Sequence, residues 1–130
     1  MGPYVFLKKV TFRVQTAPFD KIRIEFWRSR RRLDVADLIL AKNPNIGEAR
    51  SKGLMGALEA VKDKDSKTPF GPEANVSEKI ANACSDLGLI CRPLGQAIVL
   101  CPAFILTGSQ MDEMFEKLTS ALNKVFSEVS

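Results

Sequence analysis

The stretch Leu87-Gly88-Leu89-Ile90-Cys91-Arg92-Pro93-Leu94-Gly95-Gln96-Ala97-Ile98-Val99-Leu100-Cys101-Pro102 constrains the fold more tightly than any other part of the chain. Apolar residues 89–91 and 97–101 flank a Pro-Leu-Gly-Gln segment rich in turn formers, and Pro102 stops the second run. This pattern predicts a β-hairpin. One cation, Arg92, stands at the exit of the first apolar run, beside the turn. A buried or half-buried arginine is costly without an anionic partner, and the guanidinium fork fits a carboxylate through two parallel hydrogen bonds. Arg92 is therefore the first candidate for a ligand contact.

Helical spacing brackets the hairpin. Val76, Ile80, Cys84 and Leu87 recur on one face of a predicted helix that opens near Asn75 or Ser77 and closes at Gly88, a residue suited to a left-handed helix end. Met111, Met114, Phe115, Leu118, Leu122 and Val125 mark a second amphipathic helix. Thr107 and Gln110 have capping-box spacing at its start, and Asp112, Glu113 and Glu116 put negative charge in its early turns; only Gly108 disfavours the first turn. Residues 53–61 read as a largely covered strand, followed by a solvated polar loop over residues 62–69. The order of strand, loop, helix, hairpin and helix predicts an α+β layer, a small antiparallel sheet flanked by helices, too small to enclose a deep pocket alone.

Composition limits the chemistry. With 130 residues, 45% of them hydrophobic, the chain suits one domain with a modest core. It has no histidine, which excludes histidine-containing zinc sites and imidazole-based nucleophile or acid–base pairs from its own residues. Cys84, Cys91 and Cys101 make an odd set without a C-x-x-C pair, and the plain expectation is small buried side chains in a reducing compartment. No apolar run is long enough to span a membrane and no secretory leader pattern is present, so a soluble intracellular protein, cytoplasmic or mitochondrial, is expected.

The net charge of +4 is unevenly spread: residues 1–43 carry ten Lys/Arg against four Asp/Glu, and the remainder nine against eleven. Arg28, Arg30, Arg31 and Arg32 follow Phe26 and Trp27, a mixture that can contact nucleic acid, but without a recognisable binding fold the expectation is a basic run with no nucleic-acid partner. Nothing in the periodicity of residues 11–43 ties them to the later domain.

Residues 44–130 resemble the C-terminal part of class III pyridoxal-phosphate-dependent aminotransferases, the omega-amino-acid:pyruvate type in particular. The resemblance rests on the run from Asn45-Ile46-Gly47-Glu48 to Leu58-Glu59, on Lys67-Thr68-Pro69-Phe70, on Leu89-Ile90-Cys91-Arg92-Pro93-Leu94-Gly95, and on Pro102-Ala103-Phe104-Ile105-Leu106-Thr107 with the Asp112-bearing helix. It implies the small C-terminal domain of the α/β PLP-dependent transferase class. Residues 1–10 resemble the preceding family helix, and residues 11–43 are then an atypical insertion or non-homologous segment.

The resemblance places the family arginine that binds the substrate carboxylate on Arg92. It also implies pyridoxal phosphate as the cofactor of the full-length family and amino-group transfer from an omega-amino acid or amine to a keto acid such as pyruvate. The Schiff-base lysine, the acidic partner of the pyridinium nitrogen and the phosphate-binding loop belong to the family's large domain, upstream of the matched region. Lys52-Gly53-Leu54 superficially matches the lysine motif but lies ahead of a small-domain strand. The chain alone is thus expected to bind no cofactor and to be inactive, working as part of a homodimer or with a large-domain partner. The alternatives are a non-catalytic partner subunit or a non-functional fragment. Two departures from the family pattern, Ser51 after Arg50 and Ala103 after Pro102, fall where backbone shape matters and predict local strain or lost rigidity.

Overall fold

The computed structural model describes residues 40–103 and 105–129. Two hairpins build its sheet. Strand β1 (Ile46–Lys52) turns at Gly53-Leu54 into β2 (Met55–Ala60), and β3 (Arg92–Leu94) turns at Gly95-Gln96 into β4 (Ala97–Leu100). Each turn puts glycine first, at φ 63 for Gly53 and φ 60 for Gly95, while the second residue keeps negative φ. That is the pattern of a two-residue hairpin whose twist matches its strands. The strands pair antiparallel in the order β1-β2-β4-β3, which leaves β1 and β3 at the edges.

Helix α1 (Val76–Asp86) and helix α2 (Gly108–Val129) cover one face of this sheet. Val76, Ile80, Ala83 and Cys84 from α1 meet Leu118, Leu122, Val125 and Phe126 from α2 over Leu58 and Ile98. The cross-strand row Ala49, Leu58, Ile98, Pro93 marks the covered face. Leu40, at the end of the basic N-terminal segment, is also buried in this core. Lys64 fastens the chain just after it, donating through Nζ to the carbonyls of Ala41 and Asn43. Residues 1–39, which include the Arg28–Arg32 cluster, the stretch expected to match a preceding family helix and most of the expected insertion, lie outside the described residues.

Helix ends follow the sequence closely. Gly88 takes φ 80, its N–H donates to Ser85, and the N–H of Leu89 donates to the Cys84 carbonyl at 2.9 Å, which together make a Schellman cap. At the start of α2, the Thr107 N–H donates to Gln110 Oε1 at 2.9 Å and the Gln110 N–H to Thr107 Oγ1 at 3.3 Å, closing the predicted capping box. Gly108 is tolerated there because the box satisfies the free backbone donors. Asn75 opens α1, yet in a left-handed conformation and without a side-chain cap.

Two expectations are corrected. Residues 89–91 are not a strand: Leu89 packs beneath the helix cap and Ile90 is 91% exposed, so the strand begins at Arg92. The first hairpin has two strands rather than one, because β1 is an edge strand with only Ile46 fully buried and shows no apolar alternation. Its register shifts at Gly47, where an added Cβ would lie 2.6 Å from a methyl of Val61. A side chain there would overlap that of Val61, just past the end of β2.

Candidate functional site

The alternation of β-structure sends Arg92 to the sheet face opposite the helices. Its directly paired row runs Arg92, Val99, Ala57, Arg50, and residues opposite one another share a face. Arg92 is exposed, so the expectation based on the cost of burying an arginine is corrected. It is also the first residue of its strand rather than the last. Its place on an edge strand, beside the small Ala57 and Val99, leaves room above it for a ligand.

The two arginines of the row differ chemically. Arg50 Nη1 lies 3.3 Å from Glu48 and 3.3 Å from Glu59. Glu48 and Glu59 sit directly opposite each other, a repulsive pairing that the guanidinium between them relieves. Arg50 is thereby occupied. Arg92 makes no ion pair or side-chain hydrogen bond with any described residue, so its charge is available to an external anion. Three strand spacings, roughly 14 Å, separate the backbones of the two arginines.

The turn that presents Arg92 is held from behind. Ser77, the buried polar residue of α1, donates its hydroxyl to the Gly95 carbonyl at 2.7 Å. Gln96 accepts the Ala60 N–H at 3.0 Å and donates its side-chain amide to the Phe70 carbonyl at 3.4 Å. Sequence spacing gave no sign of these contacts, since each joins residues from different elements.

A cleft of about 260 Å³ opens elsewhere, between the end of α1 and the start of α2, with Leu89, Leu106 and Met114 in its walls and the 2.6 Å Glu113–Lys117 ion pair at its side. Arg92 does not line it. The predicted cysteine environment holds only for Cys84: Cys91 is half-buried and Cys101 exposed. The neighbouring Cys91 pushes the Cys84 thiol up, and Cys84 holds the Cys91 thiol below the ordinary range.

Lys52 is exposed at a hairpin end, Lys64 is engaged with backbone carbonyls and Lys117 with Glu113. No buried polar side-chain atom among the described residues lacks a partner. No group of possible metal ligands occurs among them, and no helix there is long and apolar enough to cross a membrane. At the two positions that depart from the resembled pattern, Ser51 lies in β1 opposite Gly56, and neither Ser51 nor Ala103 has positive φ.

A four-stranded antiparallel sheet covered by two helices on one face, with an unpaired arginine on the other, defines a small α+β domain of the kind found in PLP-dependent aminotransferases. The aminotransferase class-III family model matches residues 32–122, and the chain belongs to that family. A PMP-bound aminotransferase from Vibrio fluvialis is 62% identical with a TM-score of 0.76, over 79% of this chain and 24% of that one. An omega-aminotransferase from Paracoccus denitrificans is 63% identical with a TM-score of 0.76, over 79% and 24%. The putrescine–pyruvate aminotransferase of Pseudomonas aeruginosa is 32% identical over 90 residues, 69% of this chain and 20% of that protein. The chain thus spans about a fifth to a quarter of the length of these relatives.

Proposed function

We propose that residues 44–130 are the small C-terminal domain of an omega-type aminotransferase and that Arg92 receives the carboxylate of the amino- or keto-acid substrate. The observation that carries this reading is the contrast between Arg92 and Arg50. Both lie on the uncovered face, and only Arg50 has its charge met by carboxylates among the described residues. A guanidinium held on a paired strand can orient a carboxylate through two charge-assisted hydrogen bonds, fixing the reacting end relative to the cofactor. Pyridoxal phosphate would supply the electron sink for amino-group transfer. The lysine that carries it would come from the larger domain, so these 130 residues alone would not transfer an amino group.

The uncovered face supports the same reading. Met55 and Leu94 stand 61% and 62% exposed around Ala57 and Val99, an apolar surface suited to the large domain of the same assembly. Two experiments test the proposal. Residues 44–130 grafted in place of the matching C-terminal part of the Vibrio fluvialis aminotransferase should restore transfer to pyruvate. In that graft, Arg92→Ala should lower kcat/KM for pyruvate by about 10- to 150-fold, the equivalent of a charged hydrogen bond of about 1.5–3 kcal/mol, with a much smaller loss for an uncharged aldehyde. Equal losses for both acceptors would refute the assignment. Separately, the chain alone mixed with pyridoxal phosphate and borohydride should give no stoichiometric lysine adduct, and such an adduct would refute its dependence on the larger domain.

A further inference from the structure

Arg92 lies midway between two points at which its segment is fastened to one helix. Three residues before it, the Leu89 N–H donates to the carbonyl of Cys84 in α1 at 2.9 Å. Three residues after it, the Gly95 carbonyl accepts the Ser77 hydroxyl at 2.7 Å. Ser77 and Cys84 are both buried and stand two turns apart on the same side of α1. The first fastening is backbone to backbone and belongs to the helix cap. The second depends on a side chain, and Ser77 is the one buried polar residue among the described residues. Between the two points β3 has little else to hold it. The pair flanking a two-residue turn exchanges both ladder hydrogen bonds, and the next pair but one does so again. Leu94–Ala97 and Arg92–Val99 therefore carry the ladder, while Pro93 between them has no N–H to give. Among the described strands, none pairs with the other edge of β3.

We propose that Ser77 is a positioning residue for substrate recognition, a role that rests on the carboxylate reading of Arg92. Its hydroxyl fixes the turn end of β3 against α1, so that the Arg92 guanidinium stays where the carboxylate of an amino or keto acid arrives. Ser77 is buried on the helix-covered side of the sheet and acts only through the strand it holds. Without the hydroxyl, β3 is free to shift about its remaining fastening at Leu89. A displacement of about 1 Å at a group that positions substrate can cost up to about 100-fold in rate. The loss stays below that of removing the guanidinium, because a misplaced charge still attracts the anion. An acceptor without a carboxylate is insensitive to the shift.

Two measurements on Ser77→Ala test this role. In the full chain, hydrogen exchange is compared at adjacent amides of β4: by strand alternation Val99 bonds to β3, and Ile98 bonds to β2 on the same side as the Gln96 carbonyl that accepts the Ala60 N–H. Exchange at Val99 and Arg92 should quicken by about 2- to 12-fold relative to Ile98, the range for losing one hydrogen bond. Equal acceleration at Val99 and Ile98 would mean general destabilisation and would overturn the proposal, as would no change at either. In the graft onto the Vibrio fluvialis aminotransferase, Ser77→Ala should lower kcat/KM about 3- to 10-fold more for pyruvate than for an uncharged aldehyde. That selectivity should vanish when Arg92 is already alanine, since the serine acts through the arginine. If Arg92→Ala loses both acceptors equally, the carboxylate reading falls and the positioning role with it. If Arg92→Ala is selective and Ser77→Ala is not, the positioning role alone falls. Exchange is read without activity, so an inactive graft leaves the proposal open to refutation.

Discussion

Replacing Ser77 by alanine isolates the contact that holds the β3–β4 turn. The hydroxyl of Ser77 donates to the Gly95 carbonyl at 2.7 Å, and the serine itself is only 6% exposed. Removing it deletes one hydrogen bond, worth about 0.5–1.5 kcal/mol net. Any larger loss would come from leaving the acceptor buried and unpaired. Gly95 is exposed, so water can reach its carbonyl in place of the lost hydroxyl. The alanine side chain fills most of the serine volume and leaves no cavity of consequence. The expected destabilisation is therefore about 1 kcal/mol, seen as a lower urea midpoint with an unchanged slope and, for a domain of this size, a fall in Tm of about 4–8 °C. The Ala60 amide, which donates to the Gln96 carbonyl in the same turn, should exchange its hydrogen faster. A neutral variant would show that the hydroxyl does not hold the turn. A loss above about 3 kcal/mol would show that the carbonyl stays dry, contrary to the exposure argument.

Three further outcomes follow from packing and charge. Gly47→Ala, whose Cβ would approach Val61 to 2.6 Å, should destabilise by about 1–3 kcal/mol in urea unfolding, and adding Val61→Ala should recover part of that loss; strict additivity would contradict the clash. Leu118→Ala, at a fully buried position between α2 and the core, should cost about 2–5 kcal/mol by the same assay. Asp63 accepts hydrogen bonds from the side chain and backbone of Ser66, which hold its carboxyl below the usual range. A depressed folded pKa favours the native state above the unfolded pKa, near 3.9, and that contribution disappears as pH falls through the folded value. Asp63→Asn should flatten the stability profile below about pH 4, and an unchanged acid limb would count against the hydrogen bonds.

The helices were legible in the sequence because their signals are local. Thr107, Gln110 and Gly88 each act within one turn of chain, and the apolar faces of α1 and α2 repeat at the helical period. β1 was hidden because its edge position demands little apolar alternation. The apolar residues 89–91 misled because strand propensity cannot distinguish pairing from a helix cap: Leu89 serves the cap, Ile90 faces solvent and Cys91 packs against the core. The surroundings of Arg92 were not legible. Its exposure and free charge depend on a register that pairs Val99 with Ala57, 42 residues earlier in the chain, which no short window of sequence contains.

The two-residue turn at Gly95-Gln96 also acts as a parity lock. It fixes whether odd or even positions of β3 look toward the helices, and therefore which side of the sheet receives the Arg92 guanidinium. Moving the register by a single residue would drive the Arg92 charge into an apolar core. The placement of that charge outside the core thus hangs on a loop length, and an insertion there would reverse it without altering Arg92.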